Sequence, residues 1–508
     1  MKKLGIGIDF GTTNSIASVW GTDVVRVLGD QANRPVVFWR DDQKLPHPSV
    51  VWFKPDGSEV VGIEARRKMQ ELSGTLGNSF VRSVKSSITS NTEIVTPEGR
   101  RLKPYEVASH IFDHLKKQGQ AHPTLHGHEF KTCVVTVPVG FNGEQRRQIR
   151  NAMEKAGLEL QGFVHEPFAA MVAHFYHPER KLSSLRGKRV LVFDWGGGTL
   201  DVCLAEGSED GTKLYEVAHD GITNRAGDDF DKRIMADLQG RFLDKNPTLT
   251  TDDLETRCLS RDRFWLYSEA GKIDLSTEDA VRIRVANFLE GNPPLDLEET
   301  LKREEFEAMI EPEVKAAVAC TLRCLEQARL KPSNIDYVLL VGGTSLIPRI
   351  KMQLEEIFGA KVKITDEPDA AIARGAAIVA AEEWNPVNAV TLGCKLADNT
   401  FFSFLGRGEP LVAASSKKFV FYCTDPRNGV ANFVFCRKPD DNSIVPTGSI
   451  LQVQIANDRP AAYRDLDRLL VRASVTPDAT LLVAVQHTGR GHTAEHEISD
   501  VSFGLQLK

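Results

Sequence analysis

The pattern of apolar and polar positions repeats one short unit at two distant points of the chain. An apolar run over residues 3–9 ends in Asp9, passes through a turn of small residues and resumes over residues 15–20. Residues 188–194 behave in the same way: the run ends in Asp194, and strand character returns after a glycine-rich turn. Because short apolar runs bounded by turn residues are typical of buried strands, both stretches are predicted to be strand–turn–strand units. Two widely separated copies predict two related lobes.

Helical spacing dominates the chain between and after these units. Residues 143–157 predict a helix between the two lobes, and residues 369–382 predict an alanine-rich helix. After Glu383 the helical period disappears, and from residue 389 onward short alternating runs are separated by turn residues. That pattern predicts an all-β module, with the boundary at residues 384–389.

The composition is that of an ordinary globular protein, with 508 residues, 41% hydrophobic and 26% charged. Lys plus Arg number 63 against 69 Asp plus Glu, and no long basic run is present, so no nucleic-acid partner is predicted. No apolar run reaches the roughly 20 residues that cross a bilayer, so no membrane partner is predicted. Eight cysteines without a C-x-x-C pair predict reduced thiols and a cytoplasmic location.

The two repeated turns carry the groups needed to hold a phosphate. Glycine lets backbone N–H groups approach an anion closely, and the hydroxyls of Thr12, Thr13 and Thr199 add donors. The carboxylates beside these turns cannot contact a phosphate directly, so they predict a divalent cation, most simply Mg²⁺. Since Mg²⁺ keeps several of its waters, Asp9 and Asp194 are expected to hold those waters and not the ion itself.

A third glycine turn, with Gly342, Gly343 and Thr344, follows another apolar run at residues 338–341. It is expected to cradle the nucleoside end of the same ligand. The sequence contains no G-x-x-x-x-G-K-[ST] stretch, which excludes a P-loop protein.

Four segments together carry a family resemblance. Residues 7–15, Gly-Ile-Asp-Phe-Gly-Thr-Thr-Asn-Ser, look like the first phosphate loop of the seventy-kilodalton heat-shock chaperones, and residues 194–201 match the second. His165-Glu166-Pro167 is similar to the family's Asn-Glu-Pro motif, with histidine in place of asparagine. Residues 137–146 resemble the segment that links the family's ATP site to its interdomain switch. The resemblance covers about 380 residues and implies an actin-like fold.

The resemblance implies a role for each matching position. The implied catalytic residues are Asp9, Arg66, Glu166, Asp194, Thr199 and Asp201. The implied nucleotide-binding residues are Gly11, Thr12, Thr13, Asn14, Gly196, Gly197, Gly198, Gly227, Glu269, Lys272, Ser276, Gly342, Gly343, Thr344 and Asp369. The implied interdomain relay residues are Pro138 and Arg146.

The family's chemistry gives these residues specific tasks. Asp9 and Asp194 are expected to orient the waters of Mg²⁺, and Glu166 is expected to order the site around the attacking water. Thr199 is expected to donate to the γ-phosphate, and Asp201 to accept a hydrogen bond from the nucleophilic water. The implied cofactors are therefore ATP or ADP together with Mg²⁺.

The chain departs from the family pattern at four places. Arg66 stands where the family has a lysine that reaches the γ-phosphate, and Leu346 stands where it has an adenine-stacking arginine. Gly162 replaces an arginine that commonly contacts J-domain proteins. Residues 384–390 replace the family's apolar, Asp-flanked linker. The positioning of the attacking water and the coupling between domains are therefore expected to differ.

The expected fold class is an α/β actin-like, two-lobed ATPase domain followed by an all-β sandwich. The ATPase domain is assigned to residues 1–384, with the second lobe from about residue 185. The sandwich is assigned to residues 389–508, resembles the family's peptide-binding domain and is expected to have no helical lid.

Three functions are compatible with these features. The first is an ATP-driven chaperone, weakly ATP-hydrolysing, that binds unfolded or extended polypeptide; a J-domain protein and a nucleotide exchange factor are the further partners that the resemblance implies. The second is a scaffold or co-chaperone-like module that binds ATP but hydrolyses it poorly. The third, a small-molecule kinase of the same superfold, is opposed by the β-sandwich and by the adenosine contacts at Glu269, Lys272 and Ser276.

Overall fold

The structure is a computed structural model, and it describes most of the chain. The described residues are 4–21, 34–41, 44–71, 80–176, 182–223, 225–258, 261–413, 416–423, 429–438, 443–455, 468–488 and 493–507. The first predicted strand, residues 3–9, therefore begins outside the described residues at position 3.

Helices and strands within these residues are numbered in chain order. The helices are α1 (Ile63–Glu71), α2 (Pro104–Ala121), α3 (Gly143–Lys155), α4 (Glu166–Phe175), α5 (Gly227–Lys245), α6 (Thr251–Arg257), α7 (Arg261–Asp274), α8 (Arg303–Gln327), α9 (Pro348–Phe358) and α10 (Pro368–Ala381). None of these described helices is long and apolar enough to span a membrane.

The strands of the two lobes come first in the chain. They are β1 (Gly5–Phe10), β2 (Asn14–Trp20), β3 (Val36–Phe38), β4 (His47–Pro48), β5 (Val50–Phe53), β6 (Glu59–Val61), β7 (Phe80–Arg82), β8 (Ile94–Val95), β9 (Arg101–Leu102), β10 (Thr132–Val137), β11 (Glu159–His165), β12 (Arg189–Trp195), β13 (Thr199–Gly207), β14 (Lys213–Thr223), β15 (Ala280–Leu289), β16 (Leu295–Lys302), β17 (Tyr337–Val341) and β18 (Val362–Ile364).

The later strands follow α10. They are β19 (Asn385–Asn388), β20 (Thr391–Lys395), β21 (Phe401–Leu405), β22 (Ser416–Tyr422), β23 (Val430–Lys438), β24 (Val445–Gln454), β25 (Arg468–Val475), β26 (Leu481–His487), β27 (Thr493–Ile498) and β28 (Phe503–Gln506).

Two sheets carry the repeated unit in equivalent positions. In the first, with strand order β11-β10-β1-β2-β3, β1 runs parallel to β10 and antiparallel to β2. In the second, with order β18-β17-β12-β13-β14-β28-β19, β12 runs parallel to β17 and antiparallel to β13. Asp9 and Asp194 therefore lie near corresponding strand ends. This arrangement confirms the predicted α/β fold with two related sheets.

Helix α10 packs across β1 and against α4 at very short range. A β-carbon at Gly7 would lie 2.2 Å from the backbone nitrogen of Ala377, and one at Gly375 would lie 1.8 Å from the carbonyl oxygen of Ala169. Glycine is required at both crossings because no side chain fits there. The close contact fixes Glu166 at the start of α4 and Asp369 in the first turn of α10 over the same strand ends.

The second lobe has a separate core above its sheet. The hairpin β15–β16 and the helices α5, α7 and α8 surround a cluster of phenylalanines, namely Phe230, Phe264, Phe288 and Phe306. This core holds α5 and α7 in place, and both helices border the candidate site.

The predicted β-sandwich is formed by β20 to β27. Its two antiparallel sheets have the orders β21-β20-β23-β24 and β22-β25-β26-β27, and side chains such as Phe435 and Val483 are buried in its core. The structure differs from the prediction at residues 503–506, which were assigned to the sandwich. They form β28 in the sheet of the second lobe. The prediction missed this because the pattern of apolar residues does not identify the partner of a strand.

Candidate functional site

A cavity of about 140 Å³ lies where the strands of the two sheets end. Both repeated turns line it, together with the end of β17 and the first turn of α10. The predicted site residues that it brings together are Asp9, Gly11, Thr12, Thr13, Asn14, Glu166, Asp194, Gly196, Gly197, Gly198, Thr199, Asp201, Gly342, Gly343 and Asp369.

The two glycine turns face each other at close range. A β-carbon at Gly197 would lie 2.1 Å from Thr13 Oγ1, and one at Gly198 would lie 3.1 Å from Thr12 Oγ1. Thr13 Oγ1 donates to Asp228 Oδ1 at 3.2 Å, at the start of α5. The missing side chains leave backbone N–H groups and threonine hydroxyls around a space of phosphate size.

Five carboxylates line this cavity, namely Asp9, Glu166, Asp194, Asp201 and Asp369. Burial first, and then the nearby charge of Glu166, raise the pKa of Asp9 to about 7 and that of Asp201 to about 6. The same two causes raise the pKa of Asp194 well above its ordinary value. Like charges held together in a buried site favour the binding of a cation.

The donor set fits a hydrated Mg²⁺. The available ligand atoms are carboxylate oxygens, which are the donors that Mg²⁺ prefers, and Mg²⁺ keeps several waters between itself and the protein. Among the described residues, no group of three or more His, Cys, Asp or Glu side chains is arranged to hold a metal ion directly. Asp9 and Asp194 would hold such an ion through its waters, next to phosphate oxygens.

Lys85 supplies a cation inside this carboxylate group, and the sequence did not reveal it. Its Nζ lies 2.7 Å from Glu166 Oε1, and both side chains are buried. Burial by itself lowers the pKa of Lys85, but the charges of Glu166 and Asp9 outweigh burial and raise it. Lys85 lies in a short 3₁₀ turn over Val84–Ser87, which has no helix or strand period in the sequence.

Arg66 lies outside the cavity, contrary to the prediction that its charge takes the place of the family's lysine. Helix α1 directs its guanidinium to Glu269 on α7, with which it forms an ion pair, and places it 5.7 Å from the centre of the Trp265 ring. The motif spacing matched, but spacing alone does not fix the direction in which a helix presents a side chain. Arg66 and Glu269 bridge the two lobes, whereas Lys85 is the cation among the carboxylates.

Several predicted nucleotide contacts form a network beside the second turn. Lys272 Nζ donates to the Gly227 carbonyl at 2.9 Å and pairs with Asp231 at 2.7 Å. Burial raises the pKa of Asp231 to about 7, although Lys272 opposes this. Thr344 Oγ1 donates to the Gly196 carbonyl at 2.8 Å. These bonds join α5, α7 and the third glycine turn to the second of the two repeated glycine turns.

The third glycine turn packs directly on the end of β12. Gly342 has a φ of 79°, and its β-carbon would lie 2.5 Å from the Trp195 carbonyl oxygen, so this position requires glycine. Ser276 is half-buried just beyond the end of α7 and takes no part in the network around Lys272. Leu346 ends the turn with a partly exposed apolar side chain.

The predicted relay residues lie at the contact between the first lobe and the β-sandwich. The Pro138 carbonyl accepts from the Phe141 N–H at 3.1 Å in the turn before α3. Arg146 on α3 is buried, and its guanidinium donates to the carbonyl oxygens of Asp478 at 2.7 Å and Ser499 at 3.0 Å. Burial lowers the pKa of Arg146 to about 10, so it remains charged at neutral pH.

Two further arginines of α3 bind the same turn of the sandwich. Arg147 Nε lies 3.1 Å from Asp478 Oδ2, and Arg150 Nε lies 2.8 Å from Asp478 Oδ1. Arg147 also reaches Glu497 at 2.8 Å. Helix α3 therefore holds the sandwich through a buried, multiply bonded contact.

The β-sandwich contains an apolar cleft of about 770 Å³, whose residues the sequence did not assign. Val420 and Tyr422 of β22 are more than half exposed beside it. The other apolar residues that line it include Leu396, Phe402, Phe421, Phe433 and Leu469. A cleft of this kind fits an extended segment with apolar side chains.

Comparison with known proteins gives consistent matches. A family model described as "Hsp70 protein" matches residues 5–393. A protein named "Chaperone protein DnaK" from Mycoplasmopsis agalactiae is 33% identical over 380 residues, a match that covers 74% of this chain and 58% of that protein. "Chaperone protein DnaK" from Thermosipho melanesiensis is 30% identical over 507 residues, covering 96% of this chain and 79% of that protein. The chain thus spans less than two thirds of the first relative's length.

Proposed function

The chain belongs to the Hsp70 family, and on this premise we propose that it is a chaperone that binds ATP with Mg²⁺, hydrolyses it slowly and binds unfolded or extended polypeptide in a nucleotide-dependent way. The observation that carries this proposal is the cavity in which two interlocked glycine turns meet Asp9, Asp194, Asp201 and the Lys85–Glu166 pair.

Different residues around the cavity bind the phosphates, the cation and the nucleoside end of the nucleotide. Backbone N–H groups of the two turns, with Thr12 and Thr13, bind phosphate oxygens. Asp9 and Asp194 hold the waters of the cation. Bound Mg²⁺ would neutralise charge on the phosphate oxygens. The network around Lys272 and Thr344 supports the nucleoside end.

Hydrolysis in this proposal depends on four side chains that line the cavity, namely Lys85, Glu166, Thr199 and Asp201. Asp201, whose Oδ2 accepts from Thr199 Oγ1 at 2.9 Å, orients the attacking water by accepting a hydrogen bond from it. Lys85 stabilises the negative charge that develops on the phosphate oxygens, and Glu166 holds its Nζ in position. Because this cation is fixed by a buried partner, little rearrangement is needed during the reaction.

The apolar cleft of the sandwich is the proposed polypeptide site. Its aromatic and aliphatic lining favours apolar side chains, and Lys395 and Asp398 supply charges that could orient a bound chain. The contact from Pro138 through Arg146 to Asp478 is the proposed route by which the nucleotide state reaches this domain.

Steady-state ATP turnover of a Lys85→Ala variant tests the proposal. Loss of a fixed cation at the terminal phosphate is expected to lower kcat by about 10²–10³-fold while ATP binding, measured by calorimetry, is retained. Lys116→Ala is the matched control, because Lys116 Nζ donates to the carbonyls of Ala156 and Gly157 on the first lobe, away from the cavity. Equal turnover in the Lys85→Ala variant and the parent protein would contradict the assigned chemistry.

An alternative function is a scaffold or co-chaperone-like module that binds ATP but hydrolyses it poorly. The observation that favours it is the multiply bonded contact of α3 with the sandwich, which resists domain movement. A parent protein that binds ATP without measurable turnover would support this alternative over the first function.

A further inference from the structure

The chain beyond the β-sandwich returns to the second lobe and completes its sheet. Strand β28 lies between β14 and β19 and runs antiparallel to both. Leu505 is opposite Leu214 on one side and Pro386 on the other. The Leu507 N–H continues the pairing by donating to the Thr212 carbonyl at 2.7 Å. Main-chain bonds therefore tie this segment to the lobe.

The side chains of β28 fit a buried slot. Phe503 and Leu505 are each 1% exposed. A β-carbon at Gly504 would lie 2.5 Å from the Leu214 carbonyl oxygen and 3.0 Å from Val387 Cγ2. A strand that needs a glycine between two neighbours and buries the residues on each side of it is an integral part of the sheet.

The same strand also touches the first lobe. The Phe503 ring stacks on His165 with a centroid distance of 4.3 Å and an interplanar angle of 3°. The Arg146 guanidinium lies 5.0 Å from the Phe503 ring centre. His165 directly precedes Glu166, which pairs with Lys85 in the nucleotide cavity. One strand thus bonds to the second lobe and packs on the first.

The linker strand β19 depends on β28 for its place in the sheet. All four residues of β19, Asn385–Asn388, pair with β28, and none of the ladder partners described for β19 belongs to β14. Val387 makes one further isolated bridge, to Pro410. If β28 left the sheet, the linker would lose this ladder at the same moment.

We propose that residues 503–506 are a latch strand that keeps the β-sandwich docked on both lobes in every nucleotide state. Undocking would break two strand ladders, expose Phe503 and Leu505 to water and remove the Arg146 guanidinium from the carbonyl oxygens of Asp478, Ala479 and Ser499. A nucleotide would have to discriminate between docked and undocked forms by roughly 10⁴-fold to move the equilibrium from 99:1 to 1:99. The latch raises that threshold because its contacts exist only in the docked form.

This inference deepens the proposed function, on which its comparison of nucleotide states rests. The test uses the full chain in three conditions: without nucleotide, with ADP and Mg²⁺, and with ATP and Mg²⁺. Small-angle scattering is expected to give one radius of gyration, about 23 Å for a compact chain of this length, in all three. Amide exchange at residues 213–215, 385–388 and 503–507 is expected to stay slow throughout.

Gly504→Val tests the latch directly, because the added side chain pushes β14 and β28 apart. The variant is expected to show a larger radius of gyration and at least tenfold faster exchange at residues 385–388, while residues 190–195 of β12 stay protected. Gln506→Val on the same strand is the matched control, since its partly exposed side chain can change without breaking the ladder. It is expected to behave like the parent protein.

Two results would overturn the latch. One is a parent protein that expands or loses protection at residues 385–388 when ATP or ADP binds; the other is a Gly504→Val variant as compact and protected as the parent. If that variant does not fold, amide exchange of the parent protein decides the question. The nucleotide-free measurement needs no ATP binding, and calorimetry on the same samples separates a failed latch from a failed nucleotide site.

Discussion

Lys85 and Glu166 show how single residues determine the chemistry of the cavity. Both are buried, and each is the other's charge partner. Removing one member of a buried pair leaves a charge without compensation, which typically costs about 3–5 kcal/mol. Their pairing explains why a lysine can remain charged among Asp9, Asp194 and Asp201, where carboxylates alone would repel one another.

Arg66 is expected to control nucleotide release and not turnover. Its ion pair with Glu269 joins α1 to α7 across the cleft. An Arg66→Ala variant should therefore release a fluorescent ADP analogue about two- to fivefold faster, as the loss of one partly exposed ion pair implies, with kcat nearly unchanged. Stopped-flow dissociation and steady-state turnover measure the two quantities. A fall in kcat comparable to that of Lys85→Ala would contradict this assignment.

His219 is expected to give the protein a pH-dependent stability. Its Nδ1 lies 2.7 Å from Glu216 Oε1, and this hydrogen bond raises the pKa of His219 above the ordinary 6.5. The stabilisation is complete below that ordinary value and is lost as pH rises through the raised pKa. The advantage in Tm of the parent protein over His219→Gln should therefore shrink as pH rises from 6.5 through the raised pKa of His219.

Differential scanning fluorimetry at several pH values measures this advantage. His165, which lies 3.3 Å from Glu216 Oε2 and whose pKa burial lowers, titrates in both proteins. Because the charge of His219 also lowers the pKa of His165, the difference between the two proteins reports the three groups around Glu216 together. Parallel Tm curves would rule out a role for this pair in pH dependence.

Among single residues, local sequence patterns predicted the repeated turns and their aspartates. They did not predict which cation lies beside these aspartates. The strand ends at Asp9 and Asp194 followed from apolar runs bounded by glycine, which reflect local backbone geometry. Lys85 lies in an irregular turn, so no period marks it, and only the folded chain brings it to Glu166. Arg66 had the expected spacing, but the direction of α1 takes it to Glu269.

At the scale of elements, α3 is the surface on which the first lobe holds the sandwich. Arg146, Arg147 and Arg150 all bind the turn that contains Asp478. The Asp478 side chain is only 4% exposed, so two guanidinium groups depend on a partner that water cannot easily replace. Two of the three arginine contacts made by α3 therefore depend on one carboxylate.

Asp478→Ala is expected to weaken docking by about 1–3 kcal/mol, because Arg147 Nε and Arg150 Nε both lose a buried carboxylate acceptor. Urea unfolding followed by amide exchange in the sandwich measures the effect. Glu154→Ala is the control: Glu154 pairs with Arg150 from an exposed position, and its loss should cost less than about 1 kcal/mol. Equal effects of the two substitutions would show that Asp478 has no special role in docking.

The element that the sequence could not assign was β28. The last clear alternating run in the sequence is at residues 481–486, so the four-residue strand β28 was not predicted. Alternation also identifies a buried face and not the neighbouring strand. The partner β14 lies almost 300 positions earlier in the chain. The pairing of β28 with β14 joins residues that are far apart in the sequence. Patterns in a single sequence are local, so they do not reveal such a pairing.

At the scale of the whole molecule, two lobes and a sandwich are joined at α3, at the linker and at the latch strand. The linker also contributes buried contacts, since Trp384 and Val387 are buried while Glu383 and Asn385 are exposed. Coupling between nucleotide binding and polypeptide binding must act through the contacts at α3, the linker and the latch strand. These contacts already bury many of their side chains. We therefore expect a small nucleotide effect on polypeptide affinity.

Fluorescence anisotropy with a labelled apolar peptide measures this effect. The ratio of peptide affinities between the ATP and ADP states is expected to lie below about tenfold, which corresponds to roughly 1.4 kcal/mol. A hundredfold ratio would mean that the domains separate far more easily than these contacts suggest.

Calorimetric titration of ATP determines whether the interlocked glycine turns form a Mg²⁺-dependent ATP site. The parent protein is expected to bind one ATP per chain, at least tenfold more tightly with Mg²⁺ than with a chelator. Gly197→Ala places a methyl group 2.1 Å from Thr13 Oγ1 and should abolish binding, whereas Gly240→Ala, with open space around it, should bind like the parent protein. Undiminished ATP binding by Gly197→Ala, or no binding by the parent protein, would show that these turns are not the ATP site.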